Sequence, residues 1–373
     1  MKLKTDMIEK RQFLFTVVCF LQCVTVHISL MVNAAAQSAW LVLLAAALAG
    51  VLSALLIGGL NKVYGNTGLG GMAEKGFGKF FGKIISALYI LFFFWKFCDT
   101  VFEFSTFVND SILPKTPEWV ILILIIAVCV FAANFGIAVV SGMGFFLTIT
   151  VFIITVGSAL LLIPQYELGN FLPQFAEDFS KYAEGFAVSA VEPFGEIIVF
   201  LTVIPHVKNL NGTGKLIKTM LCALVLGTLT FLINIIRDTG TLGVLVKYFI
   251  FPTFESIRMI NIGEIFSRVE IFYAGMLMML AFFKASVWLF AVCELLKNFI
   301  GKKVKINKSV VCGIAALIIT VMGNKLILDS IRENMALNLI VNVIFEYLIP
   351  VLLLCMGCVM CFARKVKITQ AAE

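Results

Sequence analysis

The chain has 373 residues, of which 61% are hydrophobic and 14% are charged, and its mean hydropathy is +1.04. This composition excludes a soluble globular fold, because too little polar surface is available to cover so much apolar surface. A helix needs about 20 apolar residues to cross roughly 30 Å of hydrocarbon. Such stretches recur along the whole sequence, whereas the short alternating segments of a β-barrel do not. The sequence therefore predicts an all-α polytopic membrane protein.

Ten transmembrane spans are predicted, and an even number places both termini on one side. The spans cover residues 12–33, 38–61, 82–108, 118–135, 139–164, 184–205, 216–237, 267–296, 309–323 and 337–362. Cytoplasmic loops carry an excess of Lys and Arg. Of the 29 Lys and Arg residues, 19 fall in the termini and loops of one side and eight in those of the other. Both termini, residues 1–11 and 363–373, are thus expected to be cytoplasmic, and the net charge of +7 requires no nucleic-acid partner.

We expect a single transmembrane domain, residues 1–373, without a metal or a cofactor. All ten cysteines fall within or at the ends of predicted spans, as small buried hydrophobic residues do. Cys358 and Cys361 form a CxxC, but no second pair or nearby His completes a metal set. The longest aqueous stretches, 165–183 and 238–266, are too short to enclose a core of their own. The loop 61–82 is rich in Gly and Lys and would suit membrane lipid head groups or a partner.

Polar residues in span one lie where lipid surrounds the helix. Gln22, Thr25 and Ser29 accompany His27, which we expect to bond a neighbouring helix rather than perform chemistry. Residues 21–31 contain neither Gly nor Pro, so either the polar side chains from Gln22 to Ser29 relax this helix or the span is unbroken.

In span three, Lys96, Asp99 and Glu103 are spaced three and four residues apart, so they share one helical face. Charge at membrane depth costs roughly 2.5 to 3.5 kcal/mol even on insertion scales, and it often marks a substrate path, an ion site or a proton relay. Lys96 lies about 15 Å from either interface, too far to snorkel. One interpretation is a Lys96–Asp99 pair that satisfies itself. Glu103 then needs another partner, for which Lys284 of span eight is the natural candidate.

Span six contains a helix-breaking sequence between two acids, Glu192-Pro193-Phe194-Gly195-Glu196. Proline removes a backbone donor and disfavours helix at Glu192, and Gly195 relaxes the chain beyond it. Transporters use such breaks to build binding sites at mid-membrane depth. The second half-helix is expected to begin around Phe194 and to aim free amides at an anionic group. The alternative is a simple proline kink.

Lys284 lies at the centre of span eight, surrounded by Phe282, Phe283 and Trp288. A lone ammonium at this depth loses its proton or finds a carboxylate, so Lys284 is interpreted as a titratable switch or a substitute for a bound cation. The alternative is a fixed salt bridge that sets helix register. In span ten, Glu346 precedes Pro350, which indicates a kink with a buried acid of no assignable role.

Several motifs, taken together and in order, resemble the spore germination permease family, the B subunits of nutrient germinant receptors. They are Phe251-Pro252-Thr253, then Arg258, Ile260, Gly263, Arg268 and Glu270, then Phe282-Phe283-Lys284, together with Leu113-Pro114-Lys115-Thr116-Pro117, Gly136 and Glu196 to Pro205. The resemblance implies an amino acid/polyamine/organocation transporter fold with two inverted five-helix repeats, residues 12–164 and 184–362. It also implies a bacterial inner spore membrane and two partners, a larger A subunit and a lipoprotein C subunit.

Our hypothesis is a nutrient-sensing subunit, not an enzyme, that binds a small germinant, expected to be an amino acid, at mid-membrane and signals by a conformational shift. Its carboxylate would meet amides of the broken spans, Glu192 or Glu103 would meet its amine, and Lys284 would occupy the place of a coupling ion. The candidate ligand-binding residues are Gln22, Thr25, Lys96, Glu103, Ser189, Glu192, Phe194 and Gly195, with Pro193 and Gly195 breaking the helix.

Three alternatives remain at this stage. The first is a secondary amino acid transporter coupled to protons or cations, which would share the architecture. The second is a membrane acyltransferase that would use Arg11 and His27. The third is a scaffold in which the buried charges serve assembly alone.

Overall fold

The computed structural model describes residues 7–23, 26–210, 212–260, 268–300, 308–323 and 335–370. Its helices are α1 (Lys10–Gln22), α2 (Val26–Ala35), α3 (Ala39–Tyr64), α4 (Gly68–Ser111), α5 (Glu118–Asn134), α6 (Ile137–Leu162), α7 (Phe179–Val191), α8 (Thr213–Leu242), α9 (Pro252–Arg258), α10 (Glu270–Ile300), α11 (Lys308–Gly323), α12 (Met335–Val343) and α13 (Ile349–Gln370). Short 3-10 helices include Glu196–Leu201 and Ile204–His206, and a π-helical turn, Ile344–Leu348, joins α12 to α13.

Each of the ten predicted spans corresponds to helix in the structure. Six segments of the described chain are long and apolar enough to cross a membrane, namely 29–64, 68–111, 137–165, 213–248, 270–299 and 336–363. The spans missing from that set are α5 and α11, which are shorter, and spans one and six, which are interrupted. Large apolar side chains such as Leu124 and Phe146 project outward, 62% and 71% exposed, as lipid-facing residues do. The prediction of an all-α protein with about ten spans is confirmed.

Span one is broken although it lacks Gly and Pro. Helix α1 ends at Gln22, Cys23 leaves the helical region at φ −84° and ψ 74°, and helix resumes at Val26. Because the break interrupts the hydrogen-bond ladder, it leaves backbone carbonyls in need of other partners.

Span six is broken at the predicted place. Helix α7 ends at Val191, and Glu192 is extended because a residue before proline is disfavoured in the α region. The second half differs from the prediction of a half-helix starting around Phe194: it begins at Glu196 and winds as a 3-10 helix. The first main-chain hydrogen bond of this 3-10 helix runs from Ile198 N to Gly195 O at 3.1 Å. The amides of Glu196 and Ile197 come before it in the chain and are therefore the first amides of the half-helix.

The predicted loop 61–82 is largely helical. Helix α3 continues to Tyr64 and α4 already begins at Gly68, so only a short turn separates them. Gly78 interrupts α4 at φ 82°, a conformation that only glycine adopts readily, and the span proper follows it. The prediction of a loop was wrong because it was based on the Gly and Lys content of this segment. These residues favour loops, but here they lie in the first part of α4.

Both ends of the described chain lie at one end of the helix bundle, which we call the terminal end. Ile8 N donates to His206 O and Lys208 N donates to Ile8 O, each at 2.8 Å, so the N-terminal segment pairs with the end of span six. At the same end, Tyr64 Oη donates to Leu353 O at 2.7 Å and joins α3 to α13. The cytoplasmic orientation of this end stays a prediction.

A buried ion pair holds together the opposite end, which we call the far end. Arg237 was expected at a span boundary, but α8 continues to Leu242 and the side chain is fully buried. Its guanidinium donates to Asp238 Oδ1 at 2.8 and 2.9 Å and to Ser158 Oγ at 2.8 Å. Asp238 also accepts from Thr253 and Ser256, both at 2.5 Å, which fixes α9 against α8.

We expect Asp238→Ala to destabilise the protein by about 3–5 kcal/mol, because the fully buried Arg237 would lose its carboxylate partner. The measurement is the apparent melting temperature of the detergent-solubilised protein. Glu255→Ala is the control, since its partner Arg258 is 62% exposed and such pairs contribute less than about 1 kcal/mol. Equal melting temperatures for the two variants would contradict this interpretation.

A second ionic contact fastens a far-end loop. Lys181 and Lys247 each approach Glu177 to 2.6 Å, and their hydrogen bonds lower the pKa of Glu177 from 4.5 to about 2. Since the pKa is depressed on folding, this contact stabilises the loop above about pH 4.5 and is lost as the pH falls toward 2.

Pepsin offers a test of this contact, because the loop exposes Leu168, Leu172 and Phe175. At pH 4 we expect slow cleavage of the native loop and faster cleavage of Glu177→Gln. At pH 2 the two rates should converge, after normalisation to a peptide of the same loop sequence. A native loop cleaved as fast as the variant at pH 4 would rule out the depressed pKa.

Candidate ligand site at the helix breaks

Four buried charged groups form a chain between the middle of α4 and the middle of α10. Lys96 Nζ of α4 donates to Glu192 Oε1 and lies 3.3 Å from Glu196 Oε1. Lys284 Nζ of α10 lies 2.6 Å from Glu196 Oε2. All four side chains are at most 6% exposed, so each lysine is neutralised by a carboxylate of the span-six break. The predicted convergence of Lys96, Glu192 and Lys284 around an interrupted sixth span is what the structure shows.

Lys284 joins the two broken spans. Besides its ion pair with Glu196, its ammonium donates to the backbone carbonyl of Cys23 at 3.3 Å. That carbonyl lies at the break of span one, where the helical ladder is interrupted. The ammonium also lies 5.2 Å from the ring centroid of Phe20, within cation–π range. A covalently attached cation thus lies between the span-one break and span six.

The ion-pair partners differ from those predicted within span three and between spans three and eight. Lys96 pairs across helices with Glu192 and Glu196 rather than with Asp99 on its own helix. Glu103 is the predicted partner of Lys284, whereas the carboxylate that lies within 4 Å of Lys284 among the described residues is that of Glu196. The physical reason is the break itself, because extended backbone at Glu192 carries both acids of span six between the two lysines.

The other predicted ligand-binding residues have varied surroundings. Gln22 is buried and its Nε2 donates to Thr230 Oγ1 of α8 at 3.1 Å, while its Oε1 has no hydrogen-bond partner among the described residues. Ser189 is buried in α7. Phe194 is fully buried with its ring against Phe231, and a Cβ on Gly50 of α3 would lie 2.9 Å from it, so this ring serves helix packing.

Two predictions fall outside what the structure describes. Thr25 lies outside the described residues. His27 belongs to α2, but its side chain is not among those described.

A residue without an assigned role, Glu346, lies beside the break of span six. Its carboxylate is fully buried, and a Cβ placed on Gly195 would overlap its Oε2. Glu346 belongs to the π-helical turn Ile344–Leu348. The sequence signal was Pro350 four residues later, which cannot donate a backbone hydrogen bond to the Glu346 carbonyl. Nothing in the sequence placed this turn against Gly195.

Aromatic side chains pack together on the terminal-end side of the charged residues. The ring of Phe20 lies 5.3 Å from those of both Phe200 and Trp288, and Phe93 lies 5.4 Å from Trp288. Trp288 follows Lys284 by one helical turn, so this aromatic cluster lies directly beneath the charged chain.

At the far end, a cavity of about 530 Å³ opens between the end of α4, α9 and the start of α10. Its lining includes Asp110, Glu255, Arg258 and Glu270. Lys284 lies 14 residues beyond Glu270 on α10, or about 20 Å deeper at 1.5 Å per residue. The lining of this cavity thus contains both acidic and basic side chains.

Two broken spans joined by charged side chains at mid-depth define a permease-like membrane protein. Its fold is similar to that of Mhp1, a nucleobase-cation-symport-1 family transporter, with a TM-score of 0.64, 12% identity, and coverage of 86% of this chain and 72% of that one. It is also similar to MhsT in complex with L-phenylalanine, with a TM-score of 0.56, 15% identity, and coverage of 92% and 87%.

Residues 7–326 match the permease family described as spore germination protein. The chain is also 22% identical over 324 residues to spore germination protein KB of Bacillus subtilis (strain 168), covering 86% of each protein. The chain therefore belongs to the spore germination permease family. Its family and fold relatives are permeases and transporters rather than enzymes.

The link between Lys284 and Glu196 can be measured by a double-mutant cycle. Lys284→Met should destabilise toward the lower end of about 3–5 kcal/mol, because Lys96 still lies 3.3 Å from the other Glu196 oxygen. Adding Glu196→Gln should recover part of the loss, with a coupling of about 1–3 kcal/mol between the sites. Apparent melting temperatures in detergent provide the measurement, and strictly additive shifts would argue against the pair.

Proposed function

We propose that the protein is the nutrient-sensing, permease-like subunit of a spore germinant receptor. It binds a small germinant, an amino acid, between the two helix breaks and signals by a change of conformation. The observation that carries the proposal is Lys284, which joins the span-one break to Glu196 of span six. Family membership supports the germination role, and the fold shared with a transporter bound to L-phenylalanine supports the ligand class.

An amino acid is suited to disturb this network because it carries both of the charges that hold it together. Its carboxylate competes with Glu192 and Glu196 for the two lysine ammonium groups. Since Lys284 links both breaks, exchange of its partner alters the contact between spans one and six. A ligand shifts a conformational equilibrium only through such a difference in affinity between two states.

The fixed ammonium of Lys284 favours a sensor over a cation-coupled transporter. In a coupled transporter an ion must enter and leave the site, whereas Lys284 is tethered to α10 and already neutralises Glu196. Lys284 thus takes the place of a coupling ion. The transporter alternative is supported by the fold alone, and an acyltransferase finds no support in the family.

The receptor partners belong to the proposal as well. By family resemblance the chain works beside an A subunit and a lipoprotein C subunit in the inner spore membrane, with both termini in the cytoplasm. The relative from Bacillus subtilis, a spore germination protein, supports that setting.

The test is a germination dose response in spores that depend on this chain and its partner subunits. Amino acids, sugars and nucleosides are compared for the native chain and for Lys284→Ala, with loss of spore optical density as the readout. We expect the half-maximal concentration of the active nutrient to rise at least about tenfold in Lys284→Ala, since a lost ionic contact costs more than 1.4 kcal/mol.

Lys297→Ala is the matched control, because Lys297 lies on the same helix, is 51% exposed and pairs only with nearby Glu294 among the described residues. Immunoblots must show equal amounts of each variant. An unchanged half-maximal concentration for every compound would remove the proposed site. Uptake of labelled amino acids by proteoliposomes, dependent on a proton or sodium gradient, would instead establish the transporter.

A further inference from the structure

Glu346 has a buried carboxylate that the ion-pair chain does not use. The residue is 0% exposed, and neither Oε1 nor Oε2 has a hydrogen-bond partner among the described residues. Buried carboxylates are almost always hydrogen-bonded or paired, because burial of the unpaired ion costs many kcal/mol. Such a group therefore takes a proton or receives a cation.

The carboxylate is aimed at the break of span six. A Cβ on Gly195 would overlap Glu346 Oε2 and would also lie 2.9 Å from the Val191 carbonyl oxygen. Only a glycine leaves room for the carboxylate at this point. Glu346 thereby reaches the same broken segment of span six that presents Glu192 and Glu196 to the lysines.

The backbone around Glu346 is held in an uncommon conformation. π-helical turns are rare and often occur at functional sites. The turn Ile344–Leu348 is anchored from two sides, because Tyr89 Oη of α4 donates to Phe345 O at 2.7 Å and Tyr347 Oη donates to Ala190 O of α7 at 2.6 Å. These two hydroxyl contacts fix the carboxylate against span six.

The cluster of charged side chains around Glu346 contains one more acid than it contains lysines. Its charged neighbours are Lys96, Lys284, Glu192 and Glu196. Both lysines are already paired with the two span-six acids. Glu346 is the fifth group of this set and the one acid of the three with no lysine within 4 Å among the described residues, so it is the acid left available to a cationic group of the ligand.

We propose that Glu346 is the carboxylate that receives the protonated amine of the ligand, which makes a primary ammonium group the recognised chemistry. This assignment rests on the proposed function and names its amine partner in place of Glu192, which is bound to Lys96. A primary ammonium group offers three hydrogen-bond donors. The two carboxylate oxygens of Glu346 accept no hydrogen bond from the described residues, so they are free to receive these donors.

The test compares thermal stabilisation of the purified full-length chain by two sets of compounds, the L-amino acids and the carboxylic acids that lack only the amino group. For the native chain we expect stabilisation by one or more amino acids and at least about tenfold weaker binding of the deamino acids. In Glu346→Gln, which keeps the side-chain shape, we expect amino acid binding to weaken at least about tenfold, because a charged hydrogen bond is lost.

Two further variants keep the result interpretable. Glu294→Gln makes the same change in a partly exposed acid at the end of α10 and should bind normally. Gly195→Ala should displace the Glu346 carboxylate and weaken binding. Adding Glu346→Ala should restore part of the melting temperature, since the new Cβ still crowds the Val191 carbonyl oxygen, without restoring binding. If Glu346→Gln fails to fold, Glu346→Asp is used instead. It retracts the carboxylate by one methylene and should weaken amino acid binding to the same extent.

The outcomes separate this inference from the proposed function. Absence of any stabilisation of the native chain would overturn the proposed function and this assignment together. Amino acid binding that is unchanged in Glu346→Gln, or equal binding of the deamino acids, would overturn the assignment alone. Stabilisation by sodium without any amine, lost in Glu346→Gln, would also overturn it, since Glu346 would then hold an inorganic cation.

Discussion

The structure depends on the neutralisation of charged side chains that are buried in the centre of the helix bundle. Each lysine in the centre of this bundle is neutralised by an acid from another helix, so the helices that carry them must stay in register. Lys96 on α4 and Lys284 on α10 are held through the two acids of span six. Separation of any one of these elements would leave an uncompensated charge in the protein interior, which is far more costly than the loss of an apolar contact. Electrostatics therefore fixes helix positions that packing in lipid would fix only weakly.

The helix breaks and the charges require one another. An unbroken span six would present Glu192 and Glu196 four residues apart on one helical face, at the spacing of a single turn. With Glu192 extended instead, Glu192 pairs with Lys96 and Glu196 lies between Lys96 and Lys284. The carbonyl at the span-one break is likewise satisfied by Lys284. A backbone carbonyl that would be left without a partner in hydrocarbon thus accepts a hydrogen bond from a charged side chain, the ammonium of Lys284.

The sequence predicted those features of the fold that depend on neighbouring residues in the chain. It did not predict the features that depend on how the helices lie relative to one another. Span lengths follow from hydropathy, and the break of span six follows from Pro193 and Gly195. The break of span one has no such residue, because its cause is a tertiary partner, Lys284. The pairing of Lys284 with Glu196 rather than Glu103 depends on helix rotation and depth, which spacing along the chain does not contain. Arg237 was placed at a boundary because a charge usually marks one, whereas a single carboxylate, Asp238, allows its burial.

The strand-like contact of Ile8 with Val207 sets part of the free-energy cost of separating the N-terminal segment from the end of span six. Movement that parts the N-terminal segment from span six gives up two main-chain hydrogen bonds and exposes the fully buried Ile8 side chain. At about 0.5–1.5 kcal/mol for each bond and about 1.5–3 kcal/mol for the side chain, the cost is about 2.5–6 kcal/mol. At equilibrium that cost holds the separated form to between roughly one molecule in seventy and about one in twenty-five thousand. Any partner that bound the separated N-terminal segment more tightly than the paired one would lower that cost.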